Sequence, residues 1–218
     1  MTKKAIIVGA SGLIGSNLLS ILLSHPDYSE VLIIARKKTK STNLKLKQII
    51  TDLDHLDEHV DEIKGDVIFC CIGTTKSQTP DEDEYRKIDH DYPVKLAEIA
   101  LKNGIKEFHL ISAIGANEAS SNFYLRTKGE TERDVKAVGL PVTFIYQPSV
   151  LDGRKVKQRL GEEIAVVVLK VIGPLLFGRF KKYRAIKAGD VARAMFNQSL
   201  KNKTGVFTYT SDKIKKRA

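Results

Sequence analysis

Near its start the chain reads Ala5-Ile6-Ile7-Val8-Gly9-Ala10-Ser11-Gly12-Leu13-Ile14-Gly15. Four apolar residues run straight into a G-x-x-G-x-x-G turn. An amphipathic stretch follows as far as Ser24, where His25-Pro26-Asp27 stops it. A short apolar run that opens through glycines into a helix is the first half of a βαβ unit. Glycines at these spacings permit a tight turn, close approach of a pyrophosphate to the backbone, and close packing of helix on strand. The helix then offers free N–H groups and the positive end of its dipole to the phosphates. The stretch predicts a dinucleotide-binding turn, with Gly9, Ala10, Ser11, Gly12, Leu13, Ile14 and Gly15 as cofactor-binding residues.

Outward from this turn the same alternation continues. Apolar, β-branched runs predict strands at 5–8, 31–35, about 48–51, 67–72, 107–111 and 142–146. Helical patterns fall at about 12–24, 84–102 and 124–138, and Asn103-Gly104 closes the second of these. Strands that are near-continuous apolar runs, separated by helices, imply a parallel sheet covered on both faces. The expected fold is α/β, a Rossmann-type doubly wound parallel sheet in one domain over 1–218. Residues 1–150 form the cofactor-binding core, and 151–218 form a small substrate-side region. Ligands bind such sheets outside the carboxyl ends of the strands. Ile164, Val167, Val168, Val171 and Ile172 stand at helix-like spacing, so 151–182 is expected to be helical.

Composition limits the alternatives. With 42% hydrophobic and 28% charged residues the 218-residue chain reads as an ordinary globular domain, able to bury its own core. Its two cysteines, Cys70 and Cys71, are adjacent, so they cannot staple distant parts and lack metal-ligand spacing. They read as core residues of a strand in a reducing compartment, with no metal expected. No secretory apolar segment precedes the glycine turn, and the location expected is cytoplasmic. The apolar stretch 164–177 is broken by Lys170, Gly173 and Pro174, so no membrane span is expected. The net charge of +10 is uneven. Residues 151–218 carry 17 Lys/Arg against 5 Asp/Glu, whereas 1–150 carry 19 against 21. A basic third attracts phosphorylated ligands or anionic lipid, or is simply a solvated surface. No zinc-finger spacing or aromatic-interleaved basic motif accompanies it, so no nucleic acid is expected.

The second strand ends in Ala35-Arg36-Lys37-Lys38. An acid here would hydrogen-bond the ribose 2′-hydroxyl of NAD, whereas an Arg accommodates the 2′-phosphate of NADP. Three cations and no acid predict NADP(H) over NAD(H), with Arg36 and Lys37 as the binding residues. Asp52 and Leu53, after the third strand, are placed to line the adenine pocket. Cys71, Ile72, Gly73 and Thr74, at the end of the fourth, let the backbone lie along the central riboses.

Ser112 follows the fifth strand, and Tyr124 and Lys128 come twelve and sixteen residues later. Their i, i+4 spacing puts Tyr124 and Lys128 on one helix face. A phenol with an ordinary pKa near 10 exchanges protons poorly at neutral pH, and a neighbouring ammonium lowers that value. Ser112, Tyr124 and Lys128 are the predicted catalytic residues, with Ser112 orienting the substrate oxygen.

On these residues the chain resembles the short-chain dehydrogenase/reductase superfamily in its atypical NAD(P)H-binding branch, and there the Tat-interacting-protein-like oxidoreductases. The likeness lies in 9–15, 32–38, 69–75, 88–100 and 111–132, and thins after Val150. The resemblance implies NADPH binding, a Ser–Tyr–Lys site and a cytoplasmic location. It also implies that Pro148, Ser149 and Val150 lie along the nicotinamide, with Tyr124 and Lys128 reaching the cofactor as well. Many members add an Asn upstream of the Ser, where this chain has Asp89-His90-Asp91.

The function expected is an NADP(H)-dependent oxidoreductase that moves hydride to or from a small carbonyl or alcohol. The alternative is a non-catalytic NADP(H) sensor acting through a protein partner, a path that relatives take by losing the Tyr or Lys. Nucleotide-sugar epimerases and dehydratases need a larger C-terminal region than this chain has. A small-molecule substrate of unread identity is the main expected partner, with a homodimer among the assemblies open to the fold.

Overall fold

The apolar runs lie side by side in a computed structural model that describes residues 2–152 and 178–218. Six strands appear in the order expected: β1 (Lys3–Val8), β2 (Tyr28–Ala35), β3 (Leu46–Ile50), β4 (Val67–Cys70), β5 (Glu107–Ile111) and β6 (Val142–Gln147). Two further short strands, β7 (Leu151–Asp152) and β8 (Ile186–Lys187), pair with each other. A ninth, β9 (Gly205–Thr210), joins the main sheet. That sheet is parallel throughout, in the order β3-β2-β1-β4-β5-β6-β9. It is a Rossmann-type doubly wound fold, as the sequence predicts.

The seventh strand of the sheet was not foreseen. Gly205-Val206-Phe207-Thr208-Tyr209-Thr210 has β-branched and aromatic alternation, but it sits in the basic third read as substrate side. Thr143 pairs with Val206 and Ile145 with Thr208, so this third also completes the sheet. A helix at Ala188–Ser199 (α5) packs its Val191, Ala192 and Met195 into the same core as Leu18 and Leu22 of α1 (Leu13–Ser24). The helical expectation for 151–182 meets a strand at 151–152 and a 3-10 turn at Gly178–Tyr183. Ile164, Val167, Val168, Val171 and Ile172 lie outside the described residues.

The strand period explains the two layers. Ala5 and Ile7 face α1 and α5, while Ile6 and Val8 face the other side. That second side is covered by a 3-10 stretch (Leu53–Glu62), α3 (Tyr92–Lys102) and the end of α4 (Phe123–Ala137). The helix expected over 84–102 is three pieces: α2 (Glu82–Arg86), a π-helical turn (Lys87–Asp91) and α3. The chain closes with α6 (Ser211–Lys215). Strand order reverses between β1 and β4, so a crevice opens at their carboxyl ends. Both the glycine turn and the Cys71–Thr74 loop arrive there.

Candidate active site

The three glycines of the turn do different work. Gly9 leaves β1 at φ +90°, and a Cβ there would stand 2.7 Å from the carbonyl carbon and oxygen of Cys71. Gly15 is buried in α1, and its Cβ would be driven into the carbonyl oxygen of Gly9. Those two are required by the fold. Gly12 is exposed, and a Cβ there would meet only the oxygens of Gly9 at 3.3 Å and Cys71 at 4.0 Å. It starts α1, which has no side-chain cap and no acid in its first turn. The first N–H groups and the dipole are therefore uncompensated. Ala10 and Ile14 are buried, with their side chains in the core; Ser11 is exposed and Leu13 half-buried. A bare backbone cradle at a helix start fits a diphosphate.

At the end of β2, Arg36, Lys37 and Lys38 are exposed and make no ion pair with a carboxylate among the described residues. Asp52 is engaged in its own turn. Its carboxylate accepts from the N–H groups of Asp54 (3.1 Å) and His55 (3.2 Å) and meets His55 Nδ1 at 2.6 Å. The His55 hydrogen bond holds Asp52 below the usual carboxylate value. Leu53 packs half-buried against the second core.

The floor of the site is set by α4. Asn122 caps it by accepting from Leu125 N–H at 3.1 Å, which places Tyr124 in the first turn, 42% exposed. One turn on, Lys128 is buried with its Nζ 2.6 Å from Asp89 Oδ1. Asp89 is 1% exposed, and its Oδ2 accepts from Thr74 N–H at 2.7 Å. It sits in the π-helical turn, and its carbonyl accepts from Thr131 Oγ1 of α4 at 2.8 Å. Such turns free backbone groups that a side chain can satisfy. Burial works against the charge of Lys128. Even so, the Asp89 carboxylate, with smaller help from Tyr124 and Cys70, holds it above the ordinary lysine value.

Ser112 meets α4 one turn beyond Lys128, at Glu132. Its N–H donates to the Tyr146 carbonyl at 2.7 Å, and its Oγ donates to Glu132 Oε1 at 2.5 Å. Glu132 is buried, accepts from Gln147 Nε2 at 2.8 Å, and has Lys136 at 3.6 Å. The structure thus brings Tyr124 and Lys128 to one face, and holds the Ser112 hydroxyl on Glu132. Sequence reasoning did not single out Glu132 as a site residue. Its signal was the spacing Tyr124, Lys128, Glu132, one helical stripe at steps of four. Asp89 was read only as a departure from the family pattern.

Two loops complete the cleft. Cys71 N–H donates to the Val8 carbonyl at 2.8 Å, Cys71 and Ile72 are half-buried, and Gly73 is exposed. A Cβ on Gly73 would lie 3.4 Å from Asp89 Oδ1 and 3.8 Å from Lys128 Nζ. The Gly73–Thr74 loop therefore rests on the ion pair. Burial pushes the neighbouring Cys70 thiol up to about 12, so it is neutral. After β6, Pro148 accepts from Ile114 N–H at 3.0 Å, and Val150 accepts from Ile186 N–H at 3.0 Å. Ser149 N–H donates to Ser211 Oγ at 2.7 Å, and Ser149 Oγ donates to the Arg184 carbonyl. Ser211 also lines a cleft of about 350 Å³ with Lys181, Arg184, Asp212, Lys215 and Lys216. Among the described residues no group of acids, histidines and cysteines could hold a metal ion. No helix there is long and apolar enough to cross a membrane.

A family described as NAD(P)H-binding matches residues 9–173, from the glycine turn to beyond β7. The chain belongs to the NAD(P)H-binding family. Among the relatives of this NAD(P)H-binding protein is "Protein HTATIP2" of Rattus norvegicus. It is 35% identical over 199 residues, which is 89% of this chain and 80% of that protein. "Protein fmp52, mitochondrial" of Aspergillus fumigatus is 30% identical over 95% of this chain and 92% of its own. The Candida albicans protein of that name is 32% identical over 90% and 91%. These fungal relatives are named mitochondrial, which overturns the cytoplasmic location expected from sequence. Similar folds occur in "MoeE5 in complex with UDP-glucuronic acid and NAD" (TM-score 0.72, 19% identity, 95% of this chain and 76% of that one). A Helicobacter pylori ADP-L-glycero-D-manno-heptose-6-epimerase gives a TM-score of 0.70 at 18% identity, over 96% of this chain and 77% of that one.

Proposed function

We propose that the protein is an NADP(H)-dependent reductase of a small carbonyl compound, associated with the mitochondrion as the names of its fungal relatives suggest. The observation that carries it is Tyr124, exposed on the same face of α4 as a buried, charge-holding Lys128. Gly12 and the start of α1 would hold the diphosphate, Arg36 and Lys37 the 2′-phosphate, and the 71–74 and 148–150 loops the nicotinamide half. The bound cofactor supplies hydride. The chain's own part is to hold the substrate oxygen at Tyr124, whose phenol gives up its proton as the alcohol forms. Lys128 supports the phenolate left behind. Ser112, committed to Glu132, acts by fixing α4 against the end of β5. The basic cleft beside Ser149 favours a carbonyl substrate that carries an anionic group.

The cofactor half of this reading is tested by titrating the protein with NADPH and NADH. NADPH is expected to bind more tightly, because charge-assisted contacts to the 2′-phosphate are available only to it; such hydrogen bonds contribute about 1.5–3 kcal/mol each. Arg36→Asp removes one contact and adds repulsion, so the preference falls or reverses. Equal affinity of the wild type for both cofactors would sink the NADP(H) assignment.

A further inference from the structure

At the carboxyl ends of β5 and β6, three parts of the site meet on one side chain. Glu132 is 5% exposed and takes two donors on a single carboxylate oxygen, Ser112 Oγ at 2.5 Å and Gln147 Nε2 at 2.8 Å. Its other oxygen faces the Lys136 ammonium at 3.6 Å. Ser112 follows β5, Gln147 ends β6, and Glu132 lies two turns beyond Tyr124 on α4. Two backbone bonds tie the same strand ends together. Ser112 N–H donates to the Tyr146 carbonyl at 2.7 Å, and Ile114 N–H donates to that of Pro148 at 3.0 Å. The chain after Ser112 then runs along α4, so close that a Cβ on Gly129 would be driven into the backbone of Asn117 and Glu118.

A serine hydroxyl has one proton to donate. Here that proton points at a buried carboxylate. O–H bonds to a charged oxygen are roughly twice as strong as those between neutral groups. A substrate carbonyl is a neutral acceptor. Turning Ser112 towards it would exchange the stronger bond for the weaker and leave a buried carboxylate short of a donor. Ser112 therefore keeps its proton on Glu132.

We propose that Glu132 is a positioning residue that locks α4 to the ends of β5 and β6 and keeps the Ser112 proton out of the reaction. The lock sets the helix carrying Tyr124 in register with the 148–150 loop. This rests on the reductase reading and deepens it: the substrate oxygen meets one proton donor of this trio, Tyr124, and not two.

The first arm of the test needs no substrate. In nitrogen-15-labelled protein, a proton held between Ser112 Oγ and Glu132 gives a slowly exchanging, downfield NMR signal that is not coupled to nitrogen. The signal is expected in the wild type, persists with saturating NADPH, and vanishes in Ser112→Ala. Glu132→Gln keeps an acceptor oxygen but loses the charge, so the signal moves upfield. No such signal in the wild type, an unmoved signal in Glu132→Gln, or its loss on NADPH binding overturns the proposal. The second arm follows NADPH affinity by nicotinamide fluorescence. Glu132→Ala frees the 148–150 loop, so affinity should fall about tenfold, whereas Glu132→Gln should stay within about twofold of the wild type. Unchanged affinity in folded Glu132→Ala overturns the locking role. If that variant fails to fold, Gln147→Leu cuts the tie to β6 alone, with a loss of about fivefold expected and no loss contradicting the lock. Failure of the reductase reading appears elsewhere, as absent NADPH oxidation with the hydroxyl signal as expected.

Discussion

Between β1 and β2 the cleft is walled by backbone and exposed cations, whereas beneath α4 it is floored by buried side chains matched to each other. At the first end Gly12 and Arg36 could change with little effect on the core, because nothing packs on them. At the second, Asp89 and Lys128 sit at 1% and 6% side-chain exposure and hold the 73–74 loop and α4 together. One end spends its chemistry on binding. The other draws on folding energy to hold a charge where water cannot reach it, so damage at each end should appear in different measurements.

The largest expected effect comes from breaking the buried pair. Asp89→Ala leaves the Lys128 ammonium unpaired, a class of change that costs about 3–5 kcal/mol of stability. Chemical unfolding should show that loss, and Asp89→Ala/Lys128→Met should recover much of it. A single variant within about 1 kcal/mol of the wild type would show that the pair is not structural, and the contrast would collapse.

Next in size is Gly12→Val. The new side chain occupies the space in front of α1, and NADPH affinity should fall at least about a hundredfold, near 2.7 kcal/mol. The unfolding midpoint should fall only modestly, since a Cβ there meets one carbonyl oxygen at 3.3 Å and a valine caps α1 less well than glycine. Normal NADPH binding would put the phosphate site elsewhere. A large loss of stability would mean that the first end, too, is built into the core.

The same contrast explains what could be read from the sequence. The glycine turn, the strand alternation and Arg36-Lys37-Lys38 are local signals, each within a few residues, and the parallel sheet followed from them. The floor of the site was legible only in part. Tyr124 and Lys128 announced themselves by spacing, but Asp89 reaches Lys128 across 39 residues by way of a π-helical turn. The helical pattern over 84–102 gives no sign of the extra residue in that turn, which aims the carboxylate inward. Ser112 was visible at a strand end, but its direction depends on Glu132 of the following helix. The last strand was hidden because 205–210 lies in the basic third, with basic residues around it. The location expected from sequence failed for another reason: a matching fold carries no address, and the fungal relatives' names supplied one.

The most direct measurement is of NADPH oxidation, tried first with aldehydes and ketones that carry a carboxylate or phosphate. Wild type, Tyr124→Phe and Lys128→Met are compared for turnover and, separately, for NADPH affinity. General acid help is worth about 10²–10⁴-fold. Tyr124→Phe, which keeps the ring and loses only the hydroxyl, should lose that much turnover and retain its NADPH affinity. Lys128→Met should lose both. Full activity in Tyr124→Phe, or wild-type protein that binds NADPH yet turns over no carbonyl while Tyr124→Phe changes nothing, would contradict the account and leave a sensor in place of an enzyme.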